Sequence, residues 1–221
     1  MGIRGLTSFI QRSTFAKPAT QVLSPGSVLL VDGSCLAFAL LEHGTLLHHD
    51  YAAYARTVVD WVRRATDICG LRVVVFLDGP IRRMKQHTSS KRREQAEAAR
   101  QALRLYCCDG HLDDDGAELP TPPLCGLEME AALVDAGIEV VRCAEEADQQ
   151  LAIACASGQW CSTGASAGST ERTKDGHTEE RAQYFVVGQD SDFFAFRDCA
   201  YIPLGTLNLS GPDGMATGVV W

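Results

Sequence analysis

Four short apolar runs, each ending in or followed closely by acidic residues, constrain this chain more than any other feature. They are SVLLVDG (27 to 33), LRVVVFLDG (71 to 79), IEVVRCA (138 to 144) and YFVVGQDSD (184 to 192). All four are rich in β-branched residues and nearly continuous in hydrophobicity, without the alternation of a half-exposed strand. That pattern marks strands buried on both faces, the habit of a parallel sheet. Helical spacing fills the intervals. Tyr51, Tyr54, Ala55, Val58, Trp61 and Val62 recur three and four residues apart, with Asp50 placed as N-cap. Residues 91–104 are rich in the good helix formers Lys, Arg, Glu, Gln and Ala. Residues 127–136 and 145–156 read as further helices, the former stopped by Gly137.

The order β-α-β-α-β-α-β predicts an α/β fold with a mostly parallel central sheet and helices on both faces. AYIPL (200 to 204) is a candidate fifth strand. A length of 221 residues suits a single domain over 1–221 with a sizeable core. Two stretches interrupt the pattern. The acidic, Pro/Gly-rich 107–123 is expected to be a mobile loop, and 157–183, of linker composition, a disordered insertion. The ending GPDGMATGVVW offers no further helix, as though a longer protein had been cut there.

No apolar run approaches the roughly 18 to 20 residues that span a bilayer, so a membrane partner is not expected. The start MGIRGLTSFIQRS lacks the basic head and apolar stretch of a secretory signal, and Leu6 stands where a myristoylation motif wants Ser or Thr. Nine cysteines, several inside apolar runs, are expected to be reduced thiols in an intracellular protein. None has the two-residue spacing of a zinc knuckle. His48 and His49 are adjacent and point apart, and Asp113, Asp114 and Asp115 lack the alternating spacing of an EF-hand.

The chemistry lies in the acids that end the strands. Asp32 closes the first run and Asp78 the second; Glu146 and Asp148 follow the third; Asp190 and Asp192 close the fourth. Ligands of open parallel sheets gather at the carboxyl ends of the strands, so all six are expected on one rim. Any one alone reads more readily as a turn former or helix cap than as a catalytic group. Together their charges would raise one another's pKa, and divalent cations are the usual remedy. Oxygen-only donors select Mg²⁺ first and Mn²⁺ second, and two ions about 4 Å apart could clamp both oxygens of a phosphodiester exchange. A nuclease or phosphatase follows. A haloacid dehalogenase-type phosphatase would need a second Asp two residues after the first, where this chain has Ser34. The net charge is −8, but 82–104 carries eight Lys/Arg against two Glu, a basic arm of +6 beside an acidic remainder of −14. Such an arm is suited to attracting a phosphate backbone.

These residues resemble a known family. MGIRGL is similar to the Met-Gly-Ile-x-Gly-Leu start of the flap endonuclease/XPG-type structure-specific nucleases, and VLLVDGS, VFLDG, EEADQQLA and GQDSDFF resemble its successive acidic motifs in order and spacing. MGIRGLTSFI, DSDFFAF and YIPL look most like the asteroid-like branch. The resemblance covers the chain apart from the two interruptions. It implies a PIN-like, 5′-3′ exonuclease-like fold, made of the family's N-terminal and internal nuclease domains. It also implies a metal-dependent DNA endonuclease acting on branched or single-stranded, flap-like substrates in DNA repair, nuclear or cytoplasmic.

By that resemblance Asp32, Asp78, Glu146, Asp148, Asp190 and Asp192 would hold two Mg²⁺ ions, with Mn²⁺ able to substitute. Lys85, seven residues after Asp78, and Arg92, seven further on, would polarise the scissile phosphate. Seven residues is close to two helical turns, so both cations can share one face. Gly2 would lie near the metals, its backbone close to substrate, and Arg82, Arg83, Lys91 and Arg93 would follow the DNA backbone. The family's later half, with a further acidic motif and a duplex-gripping element, has no counterpart here. That favours a second expectation, a weakly active or inactive nuclease-like scaffold binding protein or RNA.

Overall fold

A computed structural model of the chain describes residues 6–12, 18–41, 50–80, 94, 97, 101, 124–158, 182–211 and 214–221. The acidic loop 107–123, nearly all of the insertion 157–183 and most of the helix expected over 91–104 lie outside the described residues.

In chain order the described elements begin with α1 (Leu6–Arg12), β1 (Ala19–Leu23), β2 (Val28–Asp32), α2 (Gly33–Ala39) and α3 (Tyr51–Arg63). They continue with β3 (Arg72–Leu77), α4 (Cys125–Asp135), β4 (Glu139–Arg142), α5 (Ala147–Ser157), β5 (Tyr184–Gly188), β6 (Tyr201–Pro203) and β7 (Ala216–Val220). Five strands form one sheet in the order β4-β3-β2-β5-β6. Every neighbouring pair in it is parallel. The four apolar runs are four of these strands, and 201–203 is the fifth.

Burial on both faces explains their unbroken hydrophobicity. Leu29 and Val31 of β2, Val73, Val75 and Leu77 of β3, and Phe185 and Val187 of β5 face one core, with Leu36 of α2, Tyr54, Val58 and Val62 of α3, and Met129 and Leu133 of α4. The alternate residues Val28, Leu30, Val74, Phe76 and Val186 face a second core, closed by Ala147, Leu151, Ala154 and Cys155 of α5 together with Phe193 and Tyr201. The sheet therefore has helices on both sides.

Local signals set the helix limits. Asp50 Oδ1 accepts the Ala53 N–H at 2.8 Å, capping α3, which continues as a π-helical turn over Arg64–Ile68. Gly137, with φ of 74°, takes up the left-handed conformation just past the end of α4. The cysteines within the described residues are free thiols, and Cys155 Sγ donates to the Tyr184 carbonyl at 3.3 Å.

One feature departs from the sequence expectation. The chain's last stretch forms β7, which pairs antiparallel with β1 from Ala19↔Val220 to Leu23↔Ala216. Tyr201 and Trp221 exchange backbone hydrogen bonds of 3.0 and 3.2 Å, so the end of β7 lies along the outer strand β6. That contact satisfies an edge that would otherwise be open.

Candidate functional site

Because the five strands are parallel, their carboxyl ends share one side of the sheet. From β2 the chain moves to β3 on one side, and from β5 to β6 on the other, so the strand order reverses between β2 and β5. A crevice opens at such a point in α/β sheets. Asp32 ends β2 there, and Asp190 follows β5 two residues after Gly188. A Cβ on Gly188 would lie 3.6 Å from the Cβ of Asp32 and 3.1 Å from the ring of Phe193, which measures how closely these two strand ends meet.

Asp78 follows β3 and is held at both oxygens. Its Oδ1 accepts the Ala147 N–H at 2.9 Å and its Oδ2 the Ser34 hydroxyl at 2.8 Å. Ala147 is the first residue of α5, and its N-cap residue Glu146 supplies no side-chain cap. Asp78 thus caps α5 from another strand, placing negative charge where the helix dipole is positive. The neighbouring Gly79 donates its N–H to the Glu145 carbonyl at 2.6 Å, tying the loop after β3 to the loop after β4. Asp32 caps α2 through the Cys35 N–H at 3.1 Å, and Asp190 caps the 3-10 turn Ser191–Ala195 through the Asp192 N–H at 3.0 Å.

Asp148 differs from these. It lies in the first turn of α5, is half-buried, and makes no side-chain hydrogen bond or ion pair with another described residue. Burial first, and then the charges of Asp32, Asp190, Asp78 and Glu146, push its pKa up to about 6. Burial also raises the pKa of Asp32, opposed by the backbone donor Cys35 and reinforced by Asp78 and Asp190. Five carboxylates from four strand ends therefore act on one another. Asp192, one residue into the 3-10 turn, is not among the charges that act on Asp32 or Asp148. Two thiols share the field: burial and Asp32 push Cys35 up to about 12, and burial with Asp78, Asp148 and Asp32 pushes Cys143 up to about 11. Both stay neutral near pH 7.

The donor set is oxygen, which suits a hard divalent cation, and the mutual repulsion is what such an ion offsets. No three His, Cys, Asp or Glu side chains among the described residues are already gathered into a cation shell. Oxygens of Asp32, Asp78 and Asp190 engage backbone N–H groups instead. The rim therefore fits a cation in charge and donor chemistry, and an ion would have to draw the ligands inward. A cavity of about 360 Å³ opens beside Asp78, with Ser34, Ala37, Leu77, Leu127 and Arg142 among its walls.

A pH dependence follows. The Asp148 carboxyl titrates at about 6 in the fold against 3.8 for the free group, so between those values the folded state holds more protons than the unfolded. Stability must then fall as pH rises through that window, and Asp32 acts in the same direction. A displacement from 3.8 to about 6 corresponds to about 3 kcal/mol. Partial exposure to water screens this to about 1 kcal/mol. In chelator, the contribution of Asp148, read as wild type minus Asp148→Asn, is expected to be less favourable at pH 7.5 than at pH 4 by that amount in denaturant melts. A difference independent of pH would contradict this.

Lys85 and Arg92, assigned to the phosphate, lie outside the described residues, as do Gly2, Arg82, Arg83, Lys91 and Arg93. The sequence reading passed over Ser34 as a partner of Asp78, the Ala147 N–H as its second donor, and Gly79 as the close contact between the two loops. A glycine directly after a strand-end Asp was the available signal for the last; the other two depend on packing between distant segments.

No family profile matches the sequence, and no curated protein matches it. Among solved structures the chain is similar to the catalytic core of Rad2 in complex with DNA substrate (complex II), with a TM-score of 0.51 and 12% identity, covering 99% of this chain and 54% of that one. A further structure of that catalytic core with DNA substrate (complex III) gives a TM-score of 0.46 and 10% identity, covering 99% of this chain and 55% of that one. The likeness to complex II is one of fold, a parallel sheet flanked by helices. The chain spans about half the length of these structures.

Proposed function

We propose that the chain is the carboxylate-bearing part of a metal-dependent, structure-specific DNA endonuclease of the flap endonuclease/XPG type, nearest its asteroid-like branch. The observation that carries this reading is the half-buried Asp148, set among four other strand-end carboxylates and without a partner of its own among the described residues. Support comes from the fold it shares with the catalytic core of Rad2, solved in complex with DNA substrate.

Asp32, Asp78, Glu146, Asp148 and Asp190, with Asp192 at the margin, would hold two Mg²⁺ ions, for which Mn²⁺ can substitute. When bound, such ions activate a water and neutralise charge on the phosphodiester as it breaks. The chain's own residues prepare the site. Asp78 is fixed at both oxygens; Asp32 is withdrawn from water; Asp148 carries a charge near neutral pH that burial and its acidic neighbours disfavour, and that nearby positive charge would stabilise. The α5 N-terminus adds a positive dipole at the rim. Lys85 and Arg92 are assigned to the scissile phosphate on sequence grounds, an Arg being able to grip two phosphate oxygens at once.

The direct test is cleavage of a 5′-labelled flap substrate in Mg²⁺ by wild type, Asp78→Ala and Lys85→Ala. Wild type is expected to cut, with both variants strongly impaired and chelator abolishing activity. Equal cutting by all three would reject the assigned site.

A second reading, a nuclease-like scaffold binding protein or RNA, is favoured by one observation. Asp32, Asp78 and Asp190 already have structural hydrogen bonds, and no cation shell stands ready among the described residues. A pull-down that keeps its partners in Asp190→Ala and loses them on deletion of 107–123 would support it.

A further inference from the structure

We propose that Ser34 is a positioning residue of the carboxylate rim, restraining Asp78 so that each of its oxygens keeps a lone pair open to a divalent cation; this rests on the nuclease reading above. Ser34 is the second residue of α2, and its hydroxyl donates to Asp78 Oδ2 at 2.8 Å across 44 residues of sequence. Packing brings the two together. At the preceding Gly33, a Cβ would lie 2.5 Å from Leu77 Cδ2 and 2.8 Å from the Phe76 carbonyl oxygen. Only a residue without a side chain lets α2 begin flush against the end of β3, and that approach puts the Ser34 hydroxyl on Asp78.

The second Asp78 oxygen is held by the Ala147 N–H at 2.9 Å. With one donor on each oxygen, rotation of the carboxylate about its Cβ–Cγ bond is restrained. An ionised carboxylate offers about four lone-pair directions, so one on each oxygen stays open to a cation. Ser34 also lies at the neighbouring strand end: the next residue, Cys35, donates its N–H to Asp32 at 3.1 Å, and the Ser34 N–H helps hold the Asp32 pKa down. Its main chain thus serves Asp32 and its hydroxyl serves Asp78. A single residue fixes the spacing of two carboxylates that β2 and β3 bring to the rim separately.

Ser34 and Asp78 are both exposed, so losing their bond should disturb the fold little. The effect belongs in cation affinity and in the freedom of the Asp78 carboxylate. The test uses the full chain with Ser34→Ala and Ser34→Thr. Titration calorimetry with Mn²⁺ should show about tenfold weaker uptake by Ser34→Ala, as for other residues that orient metal ligands. Ser34→Thr, which keeps the hydroxyl, should restore it. In metal-free protein, exchange of the Ala147 amide proton should quicken in Ser34→Ala and not in Ser34→Thr. If Ser34→Ala proves too unstable to titrate, Ser34→Thr against Ser34→Val makes the same comparison with shape conserved. A wild type that takes up no Mn²⁺ overturns the nuclease reading and this inference with it. A wild type that binds Mn²⁺ while the hydroxyl-free variant binds it equally well overturns the inference alone.

Discussion

Asp148→Asn is expected to make the cation-free protein more stable and at the same time to slow cleavage severely. The two effects have one origin. Asp148 is half-buried among the charges of Asp32, Asp190, Asp78 and Glu146, and nothing among the described residues hydrogen-bonds its carboxylate. An amide of the same shape removes both the cost of burying a charge and the repulsion, together worth about 1 kcal/mol after screening. For a chain of this length that raises the melting temperature by roughly 2 to 4 °C in chelator at pH 7.5. The same substitution removes an anionic ligand from the proposed ion pair. Loss of several kcal/mol of transition-state stabilisation corresponds to about a 10³-fold fall in cleavage rate. A residue whose role is structural behaves in the opposite way, with stability and activity falling together. Calorimetric melts beside the flap-cleavage assay separate the two outcomes, and a destabilised Asp148→Asn would contradict the functional assignment.

Gly79→Val carries the largest expected effect on the fold. A Cβ at position 79 would lie 2.7 Å from the Ala144 carbonyl carbon and 2.9 Å from its oxygen, and it would collide with the Cys143 carbonyl oxygen as well. These are backbone atoms and cannot turn aside as a flexible side chain would. The glycine cannot retreat either, because its N–H is bonded to the Glu145 carbonyl at 2.6 Å. Relief therefore requires the loops after β3 and β4 to part, which also pulls Asp78 from the Ala147 N–H. Overpacking of this kind costs about 3 kcal/mol. In a chain of this size the melting temperature should drop by roughly 10 °C. Cleavage should be lost in parallel. Gly126→Ala is the control, since a Cβ there meets nothing within 4 Å. A Gly79→Val protein that melts with wild type would show that the two loops are not in contact.

The parts of the fold that could be read from the sequence are those specified locally. Val28 to Val31 and Val73 to Leu77 are apolar at every position because alternate residues fill two different cores, and a run of that kind announces a parallel strand without reference to the rest of the chain. Asp50 and Gly137 mark helix limits by the chemistry of the limits themselves. The pairing of β1 with β7 was not legible: Ala19 and Thr20 are exposed, their partners Val220 and Val219 lie some 200 residues on, and short strands of this kind look like loop. At the site, the strand-end positions of Asp32, Asp78 and Asp190 follow from the apolar runs before them. What each carboxylate does once there depends on tertiary packing. The Ser34 and Ala147 donors on Asp78 meet only when α2 and α5 are in place, and Asp148 acquires its raised pKa only when packing buries it and then brings four other acids around it. Spacing treated Asp190 and Asp192 alike, whereas in the structure Asp190 is the N-cap of the 3-10 turn and Asp192 lies within it, donating its N–H to Asp190.

The most direct measurement is titration calorimetry of Mn²⁺ into the chelator-treated protein and into Asp148→Asn at pH 7.5. Saturable uptake approaching two ions per chain, sharply reduced by the single amide, is the result expected if the strand-end carboxylates form a two-ion centre. No uptake by the wild type, or uptake indifferent to position 148, would mean that these acids do not form a two-ion centre.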